Sequence, residues 1–157
     1  MLFRSPDTGQ VTILAFAIAY DVGKAINPMI VDGQIVGGLA QGIGGALMED
    51  LVYDADGQML ATTFMDYLLP TSAEMPLSLA VVILEETPTP LNPLGVKGAG
   101  EGGTACAGAA IANAVTDALR PWGVEVGSLP LSPDRVVALL RTARTGARSP
   151  SEVAPKS

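Results

Sequence analysis

Histidine is missing from this sequence altogether, and Cys106 is the single cysteine among 157 residues. Those two absences exclude Cys/His zinc sites, Ser-His and Cys-His nucleophilic pairs and any internal disulfide. Charge is scarce as well: Asp, Glu, Lys and Arg make up 16%, with 9 basic against 16 acidic residues and a net charge of −7. Phosphate backbones need concentrated Lys and Arg, and no basic cluster exists here, so a nucleic-acid partner is excluded. No apolar run reaches the roughly 20 residues that cross a bilayer. The two most apolar windows are residues 11–20 and 35–48, and the second contains Gln41 and five glycines. Residues 1–5 lack the charged start, apolar centre and small-residue cleavage site of a secretory signal. A reducing, cytoplasmic setting is expected.

What the sequence does have is apolar residues and glycine. Hydrophobic residues account for 48% and glycine for 18 positions, a balance that is high for a free-standing domain of one modest core. Much of the apolar surface is therefore expected to face another chain. The densest glycine run is Asn92-Pro93-Leu94-Gly95-Val96-Lys97-Gly98-Ala99-Gly100-Glu101-Gly102-Gly103-Thr104. Glycines let backbone approach a ligand closely, and an alanine-rich helix after them would aim its N-terminus at that ligand. Glu101 is the one carboxylate in the run. In a dry pocket its proton affinity would rise and it could act as a base, whereas a helix N-terminus would pull it the other way.

Strands and helices interleave without a repeat, which predicts an α+β architecture, with α/β as the competing assignment. Residues 12–22 are apolar at nearly every position, as in a strand buried on both faces. They come after a Pro6-Asp7-Thr8-Gly9 turn and read as the second arm of a hairpin whose first arm is missing. Residues 1–10 are accordingly expected to be a truncated segment, with residues 1–5 an assembly artefact of the coding sequence. Ile35, Leu39, Ile43, Leu47 and Leu51 recur every four positions and predict a helix over residues 31–50. Gly38, Gly42 and Gly45 form a second stripe; each costs about 1 kcal/mol relative to alanine in a helix interior, which makes sense where something packs very close. The turn Asp54-Ala55-Asp56-Gly57 predicts a hairpin across residues 52–62, and Val81-Val82-Ile83 centres a strand over 77–85. Three prolines make 87–94 an extended loop. Residues 103–119 predict a second helix with Cys106 as a small core residue, 124–126 a short strand, and 136–143 a terminal helix capped by Ser132 and Pro133. Residues 145–157 read as a disordered tail.

Asp21-Val22-Gly23, Asn27-Pro28, Gly33-Gln34-Ile35-Val36-Gly37-Gly38, Gln41-Gly42, Met65-Asp66-Tyr67, Glu86-Thr87, residues 92–104 and Ser132-Pro133-Asp134-Arg135 together resemble the C-terminal part of the molybdopterin-binding large subunit of the xanthine dehydrogenase and aldehyde oxidase family. The resemblance is nearest its aerobic carbon monoxide dehydrogenase-like branch. It spans roughly residues 11–142, and makes residues 11–144 part of a molybdopterin-binding domain. It implies a molybdopterin cofactor in the cytosine dinucleotide form, and a hydroxylation that takes its oxygen from water. It also implies iron-sulfur and FAD groups in partner subunits and a small-molecule substrate, with the rest of the large subunit lying outside this chain. A glutamate at the position of Glu101 would be the general base. Lys97, Gly98, Ala99 and Gly100 would contact cofactor oxygens, Gln34 would border the cofactor, and Gln41 is a weaker candidate.

Each of these residues has a plainer reading. Glu101 can simply complement a helix dipole, Gln34 can be an exposed helix residue, and Lys97 a solvated one. Two other functions compete. Gly98-Ala99-Gly100-Glu101-Gly102-Gly103 fits the G-x-G-x-x-G dinucleotide pattern, with Glu125 at a suitable distance, although a proline loop rather than a strand precedes it. A non-catalytic interaction or structural fragment is the third reading, favoured by the expected truncation, with an unpaired hairpin strand and apolar excess that would recruit other chains.

Overall fold

In the computed structural model, residues 2–4 and 7–145 are described. The strands are β1 (Leu2–Arg4), β2 (Val11–Ile13), β3 (Ala15–Asp21) and β4 (Ser78–Leu84); the helices are α1 (Pro28–Leu47), α2 (Gly102–Ala105), α3 (Ala107–Leu119) and α4 (Pro133–Thr145). Strands and helices share one core, the expected α+β mixture.

Helix α1 forms where the four-residue repeat placed it. Its N-cap is Asn27, whose Oδ1 accepts from the Ile30 N–H at 3.2 Å, and Pro28 occupies the first turn, where its missing N–H costs nothing. Ile35, Leu39 and Ile43 are completely buried. Leu39 and Ile43 meet a second stripe at the same spacing on α3, Ala107, Ile111, Val115 and Leu119, together with Val136 and Leu140 of α4 and Ile13 of β2. Each of the Ile, Leu and Val side chains contributes about 1.5–3 kcal/mol by leaving water. Leu51, the last member of the repeat, lies beyond the helix and is exposed.

Two of the three stripe glycines have the close neighbour their position called for. A Cβ at Gly38 would stand 3.0 Å from the Gly103 Cα, and one at Gly42 would stand 2.4 Å from the Ala107 Cβ. Gly45 has nothing within 4 Å. The glycine stripe is thus a seat for α2 and the start of α3.

β1 pairs antiparallel with β2, Leu2 opposite Ile13 and Arg4 opposite Val11. The hairpin arm expected to be missing is therefore present. The apolar run 12–22 is not one strand: it breaks at Leu14, and β3 leaves β2 to pair in parallel with β4, Ala15 opposite Ser78 through Asp21 opposite Leu84. Nor is β3 buried on both faces, since Ala17 and Ala19 are exposed. The hairpin at 52–62 reduces to one bridge, Tyr53 to Met59, around Gly57 at φ +80°. Residues 124–126 form no strand. The second helix is two pieces, interrupted at Cys106, which is exposed rather than core. The expected tail lies outside the described residues except for Thr145, which ends α4. Among the described residues no helix is long and apolar enough to cross a membrane.

Candidate functional site

The glycine run is positioned by the ends of the two parallel strands. The Val22 N–H donates to Leu84 O at 3.0 Å and prolongs the pair; after an irregular excursion the Lys97 N–H donates to Val22 O at 2.8 Å, bringing the chain back against the end of β3. Asn92 shapes the return. Its Oδ1 accepts from the N–H groups of Leu94 and Val96, both at 3.2 Å, and its Nδ2 donates to Val96 O at 2.9 Å. Gly95 sits at φ +71°, in the left-handed region that favours glycine. Gly23 approaches it so closely that a Cβ would lie 2.2 Å from the Gly95 oxygen.

Asp21 then ties the return down. The Lys97 Nζ lies 2.6 Å from its Oδ2, the Thr87 hydroxyl donates to the same oxygen, and the Gly23 N–H donates to Oδ1 at 2.8 Å. The Lys97 ammonium first, and then the Thr87 hydroxyl and the Gly23 amide, hold the Asp21 carboxyl down at about 2, because all three favour its charged form. Lys97 also donates to Thr87 Oγ1 at 3.1 Å. The structure therefore places the charge of Lys97 on Asp21 and Thr87 rather than along the glycines.

From Gly98 to Glu101 the chain is tethered only from outside. Among the described residues, the N–H groups of Gly98, Ala99, Gly100 and Glu101 have no acceptor. A Cβ at Gly98 or Gly100 would meet nothing within 4 Å, and neither glycine has positive φ. This chain's own packing does not require glycine at either place. Tyr20 OH donates to Gly98 O at 3.0 Å, and the Tyr20 ring lies against Gly102. Gly103 is pressed onto α1, where a Cβ would stand 1.9 Å from Ile35 O, and Thr104 Oγ1 donates to Gly38 O at 2.8 Å.

Glu101 occupies the N-cap position of α2 but makes no side-chain cap hydrogen bond. Its side chain is exposed and has no ion-pair or hydrogen-bond partner among the described residues. The plain dipole-complementing role is correspondingly small, because α2 is a single turn of four residues. Gln34 is exposed on α1, immediately before Ile35, whose carbonyl faces Gly103. The turn of α1 that carries Gln34 and the segment just after Glu101 are thus packed together. Gln41 is exposed two turns on.

Four consecutive amides and an adjacent carboxylate, all without a partner among the described residues, form a surface that donates to oxygens and can accept a proton. An oxygen-rich organic cofactor fits that donor set, and the glycines leave it room. A groove of about 220 Å³ lies elsewhere, between the strands and α3, lined by Ile13, Phe16, Ile111 and several alanines. The dinucleotide reading does not survive: an irregular segment rather than a strand precedes the glycines, and among the described residues the parallel sheet has two strands. Sequence reasoning missed Tyr20 and gave Asn92, Asp21 and Thr87 no role. Asn92, two and four residues before the amides it accepts from, was the one carrying a local signal.

Residues 5–76 match the family described as a molybdopterin cofactor-binding domain. Over 131 residues the chain is 47% identical to the gamma subunit of the 6-hydroxypseudooxynicotine dehydrogenase complex of Paenarthrobacter nicotinovorans, covering 83% of this chain and 16% of that one. Over 116 residues it is 40% identical to the carbon monoxide dehydrogenase large chain of Afipia carboxidovorans, covering 71% and 14%. The crystal structure of quinoline 2-oxidoreductase from Pseudomonas putida 86 superposes with a TM-score of 0.81 at 43% identity, covering 85% of this chain and 17% of that one. The chain thus spans only 14% to 17% of the length of these relatives. With a matching cofactor-binding family, identity spread over most of its length and a shared fold, the chain belongs to the xanthine dehydrogenase family and corresponds to part of its molybdenum-binding large subunit.

Proposed function

We propose that this chain forms one wall of the molybdopterin site of a molybdenum hydroxylase, which oxidises a small molecule with water as the oxygen source, and that Glu101 is the general base. The observation that carries this reading is the Glu101 carboxylate beside four backbone N–H groups, all without a partner among the described residues, on a loop anchored at both ends. The amides of Gly98, Ala99 and Gly100 donate to cofactor oxygens, and the Gln34 amide, able to give and accept, borders the cofactor edge. Lys97 keeps one N–H for a cofactor oxygen while its other bonds hold the loop.

When bound, the molybdenum centre supplies the two-electron oxidation, with molybdopterin in its cytosine dinucleotide form. The Glu101 carboxylate accepts the proton that the water-derived oxygen gives up. Covering of this exposed side by the rest of the large subunit keeps bulk water from the site. Electrons leave to iron-sulfur and FAD groups in partner subunits, and substrate is selected by walls outside residues 11–144. The setting is the cytoplasm.

The test is Glu101→Gln in the assembled enzyme, which keeps shape and removes the proton acceptor. Turnover is measured with a dye acceptor and a panel of quinoline, carbon monoxide and 6-hydroxypseudooxynicotine. Molybdenum and pterin contents stay at parent level while kcat falls by about 10²–10⁴. Activity within twofold of the parent overturns the assignment.

A further inference from the structure

Tyr20 and Asp21 are consecutive in β3, and consecutive strand residues point to opposite faces. Asp21 grips Lys97, whereas Tyr20 reaches the part of the loop beyond it. The Tyr20 hydroxyl donates to Gly98 O at 3.0 Å across 78 positions of sequence. Its ring lies so close to Gly102 that a Cβ there would come 2.6 to 2.8 Å from three ring carbons. One side chain therefore meets both ends of the turn 98–102, and Glu101 lies between them.

The segment just beyond the turn is fixed by α1 through Gly103 and through the Thr104 hydroxyl on Gly38 O. Within the turn, the amides from Gly98 to Glu101 bond to nothing among the described residues. The carbonyls are better held: Ala99 O accepts from the Gly102 N–H at 3.5 Å, and Glu101 O accepts from the N–H groups of Thr104 and Ala105 at 3.1 and 3.2 Å. The Tyr20 hydroxyl is thus the last tether before a stretch in which two of four residues are glycine. Without it the Gly98 peptide is free to turn over, and the glycines allow that rotation at little steric cost.

We propose that Tyr20 is a positioning residue for Glu101, which holds the turn 98–102 from the β3 side so that the carboxylate keeps one place. The proposal rests on the reading of Glu101 as the base. A base displaced by about an ångström loses up to roughly a hundredfold in rate, and one hydrogen bond contributes about a factor of ten at most to holding it.

The experiment is Tyr20→Phe in the assembled enzyme, which keeps the ring on Gly102 and removes only the hydroxyl. It is read beside Glu101→Gln by turnover of the same panel and by hydrogen–deuterium exchange. In Tyr20→Phe, kcat falls about tenfold with KM within twofold and with parent molybdenum content. Exchange rises several-fold at Gly102, Thr104 and Ala105, whose acceptors sit in the turn, and stays unchanged across α3. A purely structural role would instead lower metal content or raise exchange in α3 as well. Unchanged exchange or unchanged kcat in Tyr20→Phe, with Glu101→Gln inactive, overturns the proposal. Raised exchange in Tyr20→Phe together with a fully active Glu101→Gln upholds the clamp and overturns the base instead.

Discussion

An alanine at position 103 has no place for its methyl group. Its Cβ would stand 1.9 Å from Ile35 O, 2.6 Å from Leu39 N and 2.9 Å from Gly38 C, all of them backbone of α1. Non-bonded heavy atoms rest near 3.5–4.0 Å, so the overlap exceeds an ångström and no rotamer change relieves it. α2 has to withdraw from α1, which also stretches the 2.8 Å bond from Thr104 Oγ1 to Gly38 O. Overpacking costs about 1–3 kcal/mol and the weakened hydrogen bond about 1 kcal/mol more, so Gly103→Ala destabilises by roughly 2–4 kcal/mol. For a chain of this size that lowers Tm by about 4–16 °C. Gly98→Ala and Gly100→Ala run the other way. Both positions lack positive φ and have nothing within 4 Å of a Cβ, so either change is neutral or stabilises by up to about 1 kcal/mol through the unfolded chain. Thermal unfolding of the three variants, monitored by circular dichroism, measures the contrast. In the assembled enzyme the order reverses for cofactor: Gly98→Ala and Gly100→Ala lose molybdenum, because a methyl group stands between backbone and cofactor. Parent Tm in Gly103→Ala would refute the close seat of α2, and full molybdenum content in both loop variants would refute the approach of the loop to the cofactor.

The same geometry sets two further outcomes. Leu39→Ala removes a fully buried side chain from the contact of α1 with the core and costs about 2–5 kcal/mol in urea unfolding; a loss under 1 kcal/mol would mean that the core is not packed as described. Asp21 has its carboxyl lowered from 3.8 to about 2, chiefly by Lys97, so its contribution to stability is complete above pH 3.8 and disappears as pH falls from there through about 2. Lys97→Ala moves the Asp21 titration back up toward the ordinary carboxylate value in a carboxyl-resolved NMR titration, and an unmoved midpoint would remove the ion pair from the account.

The helices were legible because their physics is local. A four-residue apolar repeat fixes which side of α1 is buried, whatever the rest of the chain does. The seat for α2 was legible too, since glycines at 38 and 42 cost stability that only a close neighbour offsets. β3 was harder. A continuous apolar run reads the same whether its second face is covered by this chain or by another, and here Ala17 and Ala19 remain exposed. The turn at Asp54 to Gly57 was visible, but the residues flanking it are mostly exposed and build a single bridge instead of a ladder. Cys106 was read as core because alanines surround it, yet the helix breaks there and turns it outward. At the site, the residue types were readable in the run around Glu101. The groups that fix the run were not: Tyr20 and Asp21 act across 78 and 76 positions, and no spacing rule connects a strand end to a loop that far along the chain.

The role of Glu101 depends on where its carboxylate points once the rest of the large subunit is in place, and a crystal structure of the cofactor-loaded assembled enzyme measures that directly. The expected result is a carboxylate buried beside the cofactor, with the amides of Gly98 to Gly100 directed at cofactor oxygens. A Glu101 side chain paired with a cation, or pointing into bulk solvent away from the cofactor, would contradict it.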